Sequence, residues 1–152
     1  MSTSEELTRY EARAWTGLLR AHAVLMRDVD GELRAAHDLP LSWYDVLAAV
    51  ASAPQGRVRM GELADSVMLT PAGLSGLIDR LERAGLVERR PCDGDARGTY
   101  AVVTVEGLRQ LEHARPTHRE AIRHHYTSRF DDTELELVGA IWERVSADSR
   151  PG

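Results

Sequence analysis

Arginines cluster in the centre of this 152-residue chain, which contains no lysine. Arg80, Arg89, Arg90 and Arg97 all fall within residues 57–97, where seven arginines balance seven acidic residues. A guanidinium group donates a rigid fork of hydrogen bonds that matches a phosphate or the edge of guanine. The whole chain has a net charge of −5, so its acidic excess lies outside this segment. This distribution favours an anionic partner such as DNA for the central segment only.

Around Arg80 the sequence predicts a helix with a small exposed face. Thr70 is a suitable N-cap, Pro71 suits the first helical position and Gly85 ends the pattern, which places the helix over residues 71–84. One side has the apolar spacing of a buried stripe, made of Leu74, Leu77, Ile78 and Leu81. The other side permits close approach, because small residues fill its first two turns. We expect the positions nearest bases or phosphates to be Thr70, Pro71, Ala72, Gly73, Ser75 and Gly76, with Arg80 as the strongest donor.

The segments on either side of this helix predict a helix-turn-helix followed by a β-hairpin. A short helical pattern, Met60, Leu63, Ala64 and Val67, ends in a tight Met68-Leu69 connection. Further along, residues 86–90 and 99–104 read as strands, bounded by Pro91 and by the turn-rich stretch 93–95. This order of elements is that of a winged helix. From the pattern alone, DNA binding and protein–protein interaction are both open to it.

The same region resembles the MarR family of bacterial winged-helix regulators. The resemblance rests on the run LIDRLERAGLVERRP, on Asp95-Ala96-Arg97 and on residues 103–107, and it extends over roughly the whole chain. It implies a mainly α fold with a small β wing, in a single domain over residues 1–152. Within that domain the winged helix-turn-helix would occupy residues 41–104, and dimerisation helices would occupy residues 5–38 and 105–148. Family members usually have a second arginine where this chain has Ala96, but Arg97 is retained.

The resemblance also implies a function. It predicts a homodimeric transcriptional regulator, most often a repressor, that binds a pseudo-palindromic operator in double-stranded DNA through helix 71–84 and wing 87–104 and is released by a small molecule. We expect Arg97 to reach the minor groove with Asp95 orienting it, and Arg89 and Arg90 to contact DNA at the base of the wing. The sequence has no nucleophile elbow, glycine-rich phosphate loop or paired metal-ligand motif, so we predict no enzymatic activity, no cofactor and no metal.

Two predicted helices near the N-terminus carry aromatic residues that could hold an effector. Residues 7–37 read as one long amphipathic helix closed by Pro40, and Ser42 with Asp45 forms a variant capping box for the next helix. In the resembled family, aromatic ligands often bind where the dimer helices meet the winged domain. We therefore expect either a site for a small aromatic compound, anchored by His22 or Arg20, or simple core packing. The residues concerned are Trp15, Leu18, His22, Trp43 and Val46.

The C-terminal part of the chain predicts two further helices. Thr104 is expected to cap a helix from Val105 to about Thr127, kinked at Pro116, and Asp131 is expected to cap the last helix. The apolar stripes of the first and last helices exceed what one small winged domain can cover. This excess predicts a homodimer interface made by the two ends of the chain.

Cysteine and histidine usage offers little support for a redox or metal site. Cys92 is the only cysteine, and we expect it to be an exposed bystander at the start of the wing loop. Four histidines fall on one predicted helix, but not at the spacing of a shared face, which favours a solvated or interface role over a metal site unless other elements add ligands. They are His113, His118, His124 and His125. With no apolar run of about 18 residues and no hydrophobic signal region, we expect a cytoplasmic protein without a membrane partner.

Overall fold

The computed structural model describes residues 6–147, without the side chain of Ala96. The helices are α1 (Arg9–His37), α2 (Leu41–Ser52), α3 (Met60–Ser66), α4 (Pro71–Arg83), α5 (Val105–His125) and α6 (Asp132–Ala147), and the strands are β1 (Arg57–Arg59), β2 (Val87–Cys92) and β3 (Asp95–Val103). The predicted fold class, mainly α with a small β wing, is confirmed. Residues 5 and 148, the outer limits predicted for the dimerisation helices, lie outside the described residues.

The chain divides into two compact units. The winged unit, Asp30–His118, contains the helix-turn-helix and the sheet. The helical unit combines Met1–Val29 with Arg119–Gly152, and its described residues belong to α1, the end of α5 and α6. The winged unit includes the last turns of α1 and most of α5, which contribute the completely buried Leu33 and Leu111.

Aliphatic side chains form the core of the winged unit. The largest of those with less than 2% exposure are Leu33, Leu39, Val46, Leu47, Val50, Leu63, Leu74, Ile78, Leu81, Leu86, Val87 and Leu111. The predicted apolar stripe of α4 is confirmed, since all four of its residues are buried. Burial of this stripe fixes which side of α4 faces outward.

Side chains cap the beginnings of three helices as predicted. The Oγ1 atom of Thr70 accepts a hydrogen bond from the Gly73 amide at 3.1 Å, which caps α4. The Thr104 hydroxyl accepts from the Gly107 amide at 2.9 Å and caps α5. In α6, Asp131 accepts from the Glu134 amide at 2.9 Å while Glu134 accepts from the Asp131 amide at 3.0 Å. These bonds satisfy amides that have no partner within their own helix.

Two other predicted helix starts are wrong. Helix α1 begins at Arg9 instead of Leu7, because Thr8 and Glu11 form a reciprocal capping box there. Helix α2 begins at Leu41, so Ser42 lies inside it and caps nothing. The Leu41 amide donates instead to Oδ1 of Asp30, at 2.8 Å. A carboxylate distant in sequence has therefore taken the role expected of Ser42.

The sheet is antiparallel with the strand order β1-β3-β2, and it is larger than predicted. Strand β1 was not predicted, and both strands of the hairpin extend closer to the turn than predicted. Strand β2 continues through Pro91 to Cys92, and only Asp93 and Gly94 separate it from β3. Proline is tolerated because β2 lies at the edge of the sheet, where a missing amide breaks no second ladder. Gly94 in this turn has a positive φ of 75°, which glycine adopts without a steric cost.

The expectation that Cys92 is exposed is also wrong, since it is 5% exposed. In β3, Gly98 faces the thiol closely enough that a Cβ atom on Gly98 would stand 2.9 Å from Sγ. Extension of the hairpin therefore converts the predicted loop cysteine into a packed residue of the wing, defined here as β2, β3 and their turn.

Apolar side chains of the helical unit are largely exposed within a single chain. Trp15 on α1 is 57% exposed, Trp142 on α6 is 41% exposed, and α6 has no buried residue in its described length. None of the described helices combines the length and apolar character needed to cross a membrane.

Candidate nucleic-acid interface

The outward face of α4 is small at its N-terminal end, as predicted. Pro71, Ala72, Gly73 and Ser75 are exposed, and Gly76 is half-buried. The α4 N-terminus also presents backbone amides and the positive end of the helix dipole. A phosphate or a base edge could therefore come close to the backbone of α4.

Arg80 lies beside this small surface. Its Nη1 atom would be only 3.9 Å from a Cβ atom on Gly76, so the guanidinium extends along the face that Gly76 leaves open. Among the described residues Arg80 has no acidic partner, and its side chain is exposed. This arrangement leaves its hydrogen-bond donors available to a ligand.

A cleft of about 520 Å³ lies between the starts of α3 and α4 and the wing. Its lining comprises Arg59, Met60, Gly61, Glu62, Pro71, Ser75, Arg89, Arg97, Gly98 and Thr99. Of its three arginines, only Arg97 has no acidic partner among the described residues, since Arg89 pairs with Asp79 and Glu82 and Arg59 pairs with Asp95. The N-terminal end of α4 and Arg97 of the wing border this one cleft. The sequence predicted both as part of the site, but not that they lie together.

At the end of the wing, Asp95 holds the backbone of Arg97 and not its guanidinium. The Arg97 amide donates to Oδ1 of Asp95 at 3.0 Å. Oδ2 of Asp95 lies 3.5 Å from Nη1 of Arg59, which comes from β1. Asp95 therefore orients Arg97 through the turn of the chain, while the Arg97 side chain has no acidic partner among the described residues.

Arg89 forms several ion pairs and hydrogen bonds with residues of α4. Its Nη1 atom lies 2.7 Å from Asp79 and 3.2 Å from Glu82. Nη2 donates to the carbonyl and hydroxyl oxygens of Ser75, at 3.1 and 3.3 Å, and the Arg89 amide donates to Glu82 at 2.9 Å. The predicted DNA-contacting residue thus fastens the wing to the side of α4. Asp79 and Glu82 neutralise its charge in this arrangement.

Arg90 and Arg59 lie on the face of the sheet opposite to Arg89. Arg90 is exposed and pairs with Glu88 at 2.9 Å, on the sheet face opposite to that of Arg89. Arg59 was not predicted as a site residue, although the alternation Arg57-Val58-Arg59 is the signal of a short strand with charged residues on one face. Neighbouring Cys92, Tyr100 and Asp95 raise the pKa of Arg59 above its usual value.

The residues predicted for an effector site differ in exposure. Trp15 and His22 are exposed and Leu18 is half-buried in the helical unit. In the winged unit, Trp43 is half-buried and Val46 is 1% exposed. Val46 is therefore a core residue, and the effector site stays a prediction.

The histidines of α5 contact aromatic rings. His113 meets His37 edge-on with ring centroids 5.1 Å apart, and His118 stacks on the buried Tyr44 at 4.1 Å. Burial, followed by the charge of Arg115, lowers the pKa of His118. Within residues 6–147, no group of three or more His, Cys, Asp or Glu side chains is placed to hold a metal ion.

Comparison with known proteins agrees with this geometry. The MarR family model matches residues 37–98. Sco3205, a MarR family transcriptional regulator from Streptomyces coelicolor solved in complex with DNA, is 31% identical, with 97% of this chain and 96% of that chain covered and a TM-score of 0.90. AbsC, a MarR family transcriptional regulator from the same organism, is 28% identical, with 97% and 99% covered and a TM-score of 0.90.

A relative found by sequence belongs to the same class. The HTH-type transcriptional repressor YetL from Bacillus subtilis (strain 168) is 31% identical over 106 residues, which are 68% of this chain and 64% of YetL. The match thus spans slightly less than two thirds of that relative. This chain belongs to the MarR family of transcriptional regulators. Its relatives are regulators and not enzymes, which confirms both the resemblance and the non-enzymatic prediction.

Proposed function

We propose that this protein is a homodimeric, ligand-responsive repressor that binds a pseudo-palindromic operator through residues 71–84 and the wing, 87–104. The observation that carries the proposal is the position of the small face of α4 beside the cleft that Arg59 and Arg97 border, with Arg80 unpaired next to it. Sco3205, which has the same fold at 31% identity, was solved with DNA, and this supports the assignment of DNA as the partner. The protein would act in the cytoplasm, where a bacterial chromosome lies.

Each part of the interface then has a separate task. The N-terminal half of α4 enters the major groove, where its small residues let the backbone approach the bases. Arg80 donates to a phosphate or a guanine, and Arg97 reaches the minor groove. Arg89 acts indirectly, because its bonds to Ser75, Asp79 and Glu82 fix the wing relative to α4.

A decisive experiment selects fragments of the genomic DNA with the purified protein and measures their binding by electrophoretic shift at physiological salt. Arg80→Ala should weaken binding by about 1–3 kcal/mol. Arg83→Ala is a matched control, because Arg83 donates Nε back to the Asp79 carbonyl of its own helix at 3.3 Å. If no fragment is selected and the protein instead captures another protein, the winged unit is an interaction module.

Dimerisation is supported by the apolar surface that one chain leaves uncovered in the helical unit. Its exposed large apolar residues include Trp15, Leu19, Leu137, Trp142 and Val145. Exposed patches above a few hundred Å² usually mark an interface. Light scattering at micromolar concentration should give about twice the chain mass, and footprints should show two inverted half-sites about one helical turn apart. A stable monomer that protects a single half-site would contradict the dimer.

Response to a small aromatic compound completes the proposed function. Support comes from the helical unit, where the exposed Trp15 and His22 offer a ring face and an imidazole. A compound regulates only if it binds the DNA-incompetent state more tightly than the competent one. Titration with aromatic acids should quench tryptophan fluorescence and release operator DNA at matching midpoints. Unaltered midpoints in folded, DNA-binding Trp43→Ala and His22→Ala variants would place the effector elsewhere.

A further inference from the structure

The sheet has a second basic surface, on the side facing away from the helices. Arg59 pairs in register with Tyr100, which pairs with Arg90. In the next row, Arg57 pairs with Val102, which pairs with Glu88. Directly opposed residues share a face of a sheet. We term this surface, made of Arg57, Arg59, Glu88, Arg90, Tyr100 and Val102, the outer wing face.

Arg57 is held in place on the outer wing face without an acidic partner. Its Cζ atom lies 4.8 Å from the centroid of the Tyr100 ring, within the range of a cation–π interaction. Arg57 is half-buried, and none of the described carboxylates forms an ion pair with it. A guanidinium that is fixed in direction and unpaired loses little conformational entropy when it binds an anion.

A groove of about 480 Å³ runs beside Arg57. It is lined by Gln55, Arg57, Arg90, Pro91, Asp93, Tyr100 and Val102. The Arg90–Glu88 pair at its side is exposed, with 64% and 52% of the two side chains accessible, so it contributes little and can exchange for another anion. The lining of the groove thus has two arginines and one side-chain amide but only one aspartate. This charge balance favours binding of a phosphate group over binding of a cation.

Arg59 connects this groove with the cleft at α4. It lines that cleft, yet its Cζ atom lies 5.8 Å from the Tyr100 ring on the outer wing face. Basic side chains therefore continue from the cleft, past Arg59, to Arg57 and Arg90. A duplex whose minor groove receives Arg97 has further phosphates along its flank, and a linear array of phosphates matches this continuity better than one small anion does.

We propose that the outer wing face binds the phosphate backbone of DNA flanking the operator, with Arg57 as the principal donor and Arg90 as the second. This inference rests on the proposed function. It adds a contact that carries no sequence information and acts only when the duplex extends beyond the half-sites.

The test compares two duplexes selected by the wild-type protein, one limited to the half-sites and one extended by about 10 base pairs on each side, about one helical turn. Binding is measured between 50 and 200 mM salt. Each subunit of the dimer loses one phosphate contact, so on the long duplex Arg57→Ala should lower the slope of log K against log salt by about 1.8, the release expected for two phosphates. Over this range the wild-type protein should then lose about 12-fold more affinity than the variant. On the short duplex the two proteins should be equal.

A charge control makes the outcome specific. Arg109→Ala removes the same charge from an arginine already paired with Glu106 and should leave the length dependence unchanged.

Equal slopes for wild type and Arg57→Ala on the long duplex, or equal losses on both duplexes, would overturn the proposal. The proposal would likewise be overturned if inorganic phosphate alone bound at Arg57 without any dependence on duplex length. The ligand of this face would then be a free anion and not flanking DNA. Failure of the proposed function itself looks different, because the wild-type protein would then bind neither duplex.

Discussion

Gly107→Ala should destabilise the winged unit, because Gly107 is where α5 packs against the start of the wing. A Cβ atom on Gly107 would overlap the carbonyl oxygen of Leu86 and stand 3.0 Å from its carbonyl carbon. That carbonyl accepts from the Thr104 amide at 3.1 Å, and the Thr104 hydroxyl donates to Gly85 at 2.7 Å. Backbone cannot move aside as a flexible side chain can, so α5 must shift and weaken these bonds.

The expected loss for Gly107→Ala follows from these contacts. Overpacking a tight contact costs about 1–3 kcal/mol, and one hydrogen bond contributes about 1 kcal/mol net. Together they predict a decrease of about 2–4 kcal/mol in the free energy of unfolding. With an m-value of about 2 kcal/mol/M, the urea midpoint should fall by about 1–2 M. Midpoints are compared at one protein concentration, because dimer dissociation makes them concentration-dependent.

Gly31→Ala is the matched control for Gly107→Ala. Gly31 also lies in a helix of the winged unit, but a Cβ atom there meets nothing within 4 Å. Alanine is favoured over glycine in a helix interior by about 1 kcal/mol, so the Gly31→Ala midpoint should be unchanged or slightly higher. If Gly107→Ala unfolds at the same urea concentration as Gly31→Ala, the reasoning from the Leu86 contact is refuted.

Three other substitutions test the interface and the packing. Arg97→Ala should weaken operator binding by about 1–3 kcal/mol without changing the urea midpoint, and unchanged affinity would reduce Arg97 to a surface charge. Thr70→Ala should cost about 1 kcal/mol of stability through loss of the α4 cap, while Thr70→Ser retains it; equal midpoints for the two would contradict this role. Since burial and Arg115 hold the pKa of His118 below 6.5, the unfolded chain binds that proton more readily, and stability should fall as the pH drops from 6.5 through the lowered pKa. His118→Phe, which keeps a ring against Tyr44, should flatten this part of the profile of urea midpoint against pH, and an unchanged slope would exclude His118 as its source.

The contacts of Arg89 affect how binding should be interpreted. Because Arg89 joins β2 to Ser75, Asp79 and Glu82 of α4, its replacement alters the position of the wing as well as a charge. A loss of operator affinity in an Arg89 variant therefore does not by itself identify a phosphate contact. Arg80 and Arg97 give cleaner evidence, because no ion pair with a described acidic residue restrains either side chain.

Local patterns in the sequence determined the elements that carry the interface. Thr70, Pro71 and Gly85 mark the limits of α4 because capping and turn conformations depend on neighbouring residues only. The apolar spacing of Leu74, Leu77, Ile78 and Leu81 fixed which face of α4 is buried, and hence which face is small and exposed. The same local logic identified Thr104 and Asp131 as caps.

Only the tertiary structure decided how arginines of similar sequence context are used. Arg89 and Arg90 are adjacent, but strand alternation turns one toward α4 and the other to the outer wing face. Arg59 and Asp95 meet because β1 pairs with β3, a contact between residues far apart in sequence. Likewise Asp30, and not Ser42, binds the first amide of α2, and Gly98 covers Cys92. Such partners depend on how distant segments of the chain pack together, and no short stretch of sequence contains that information.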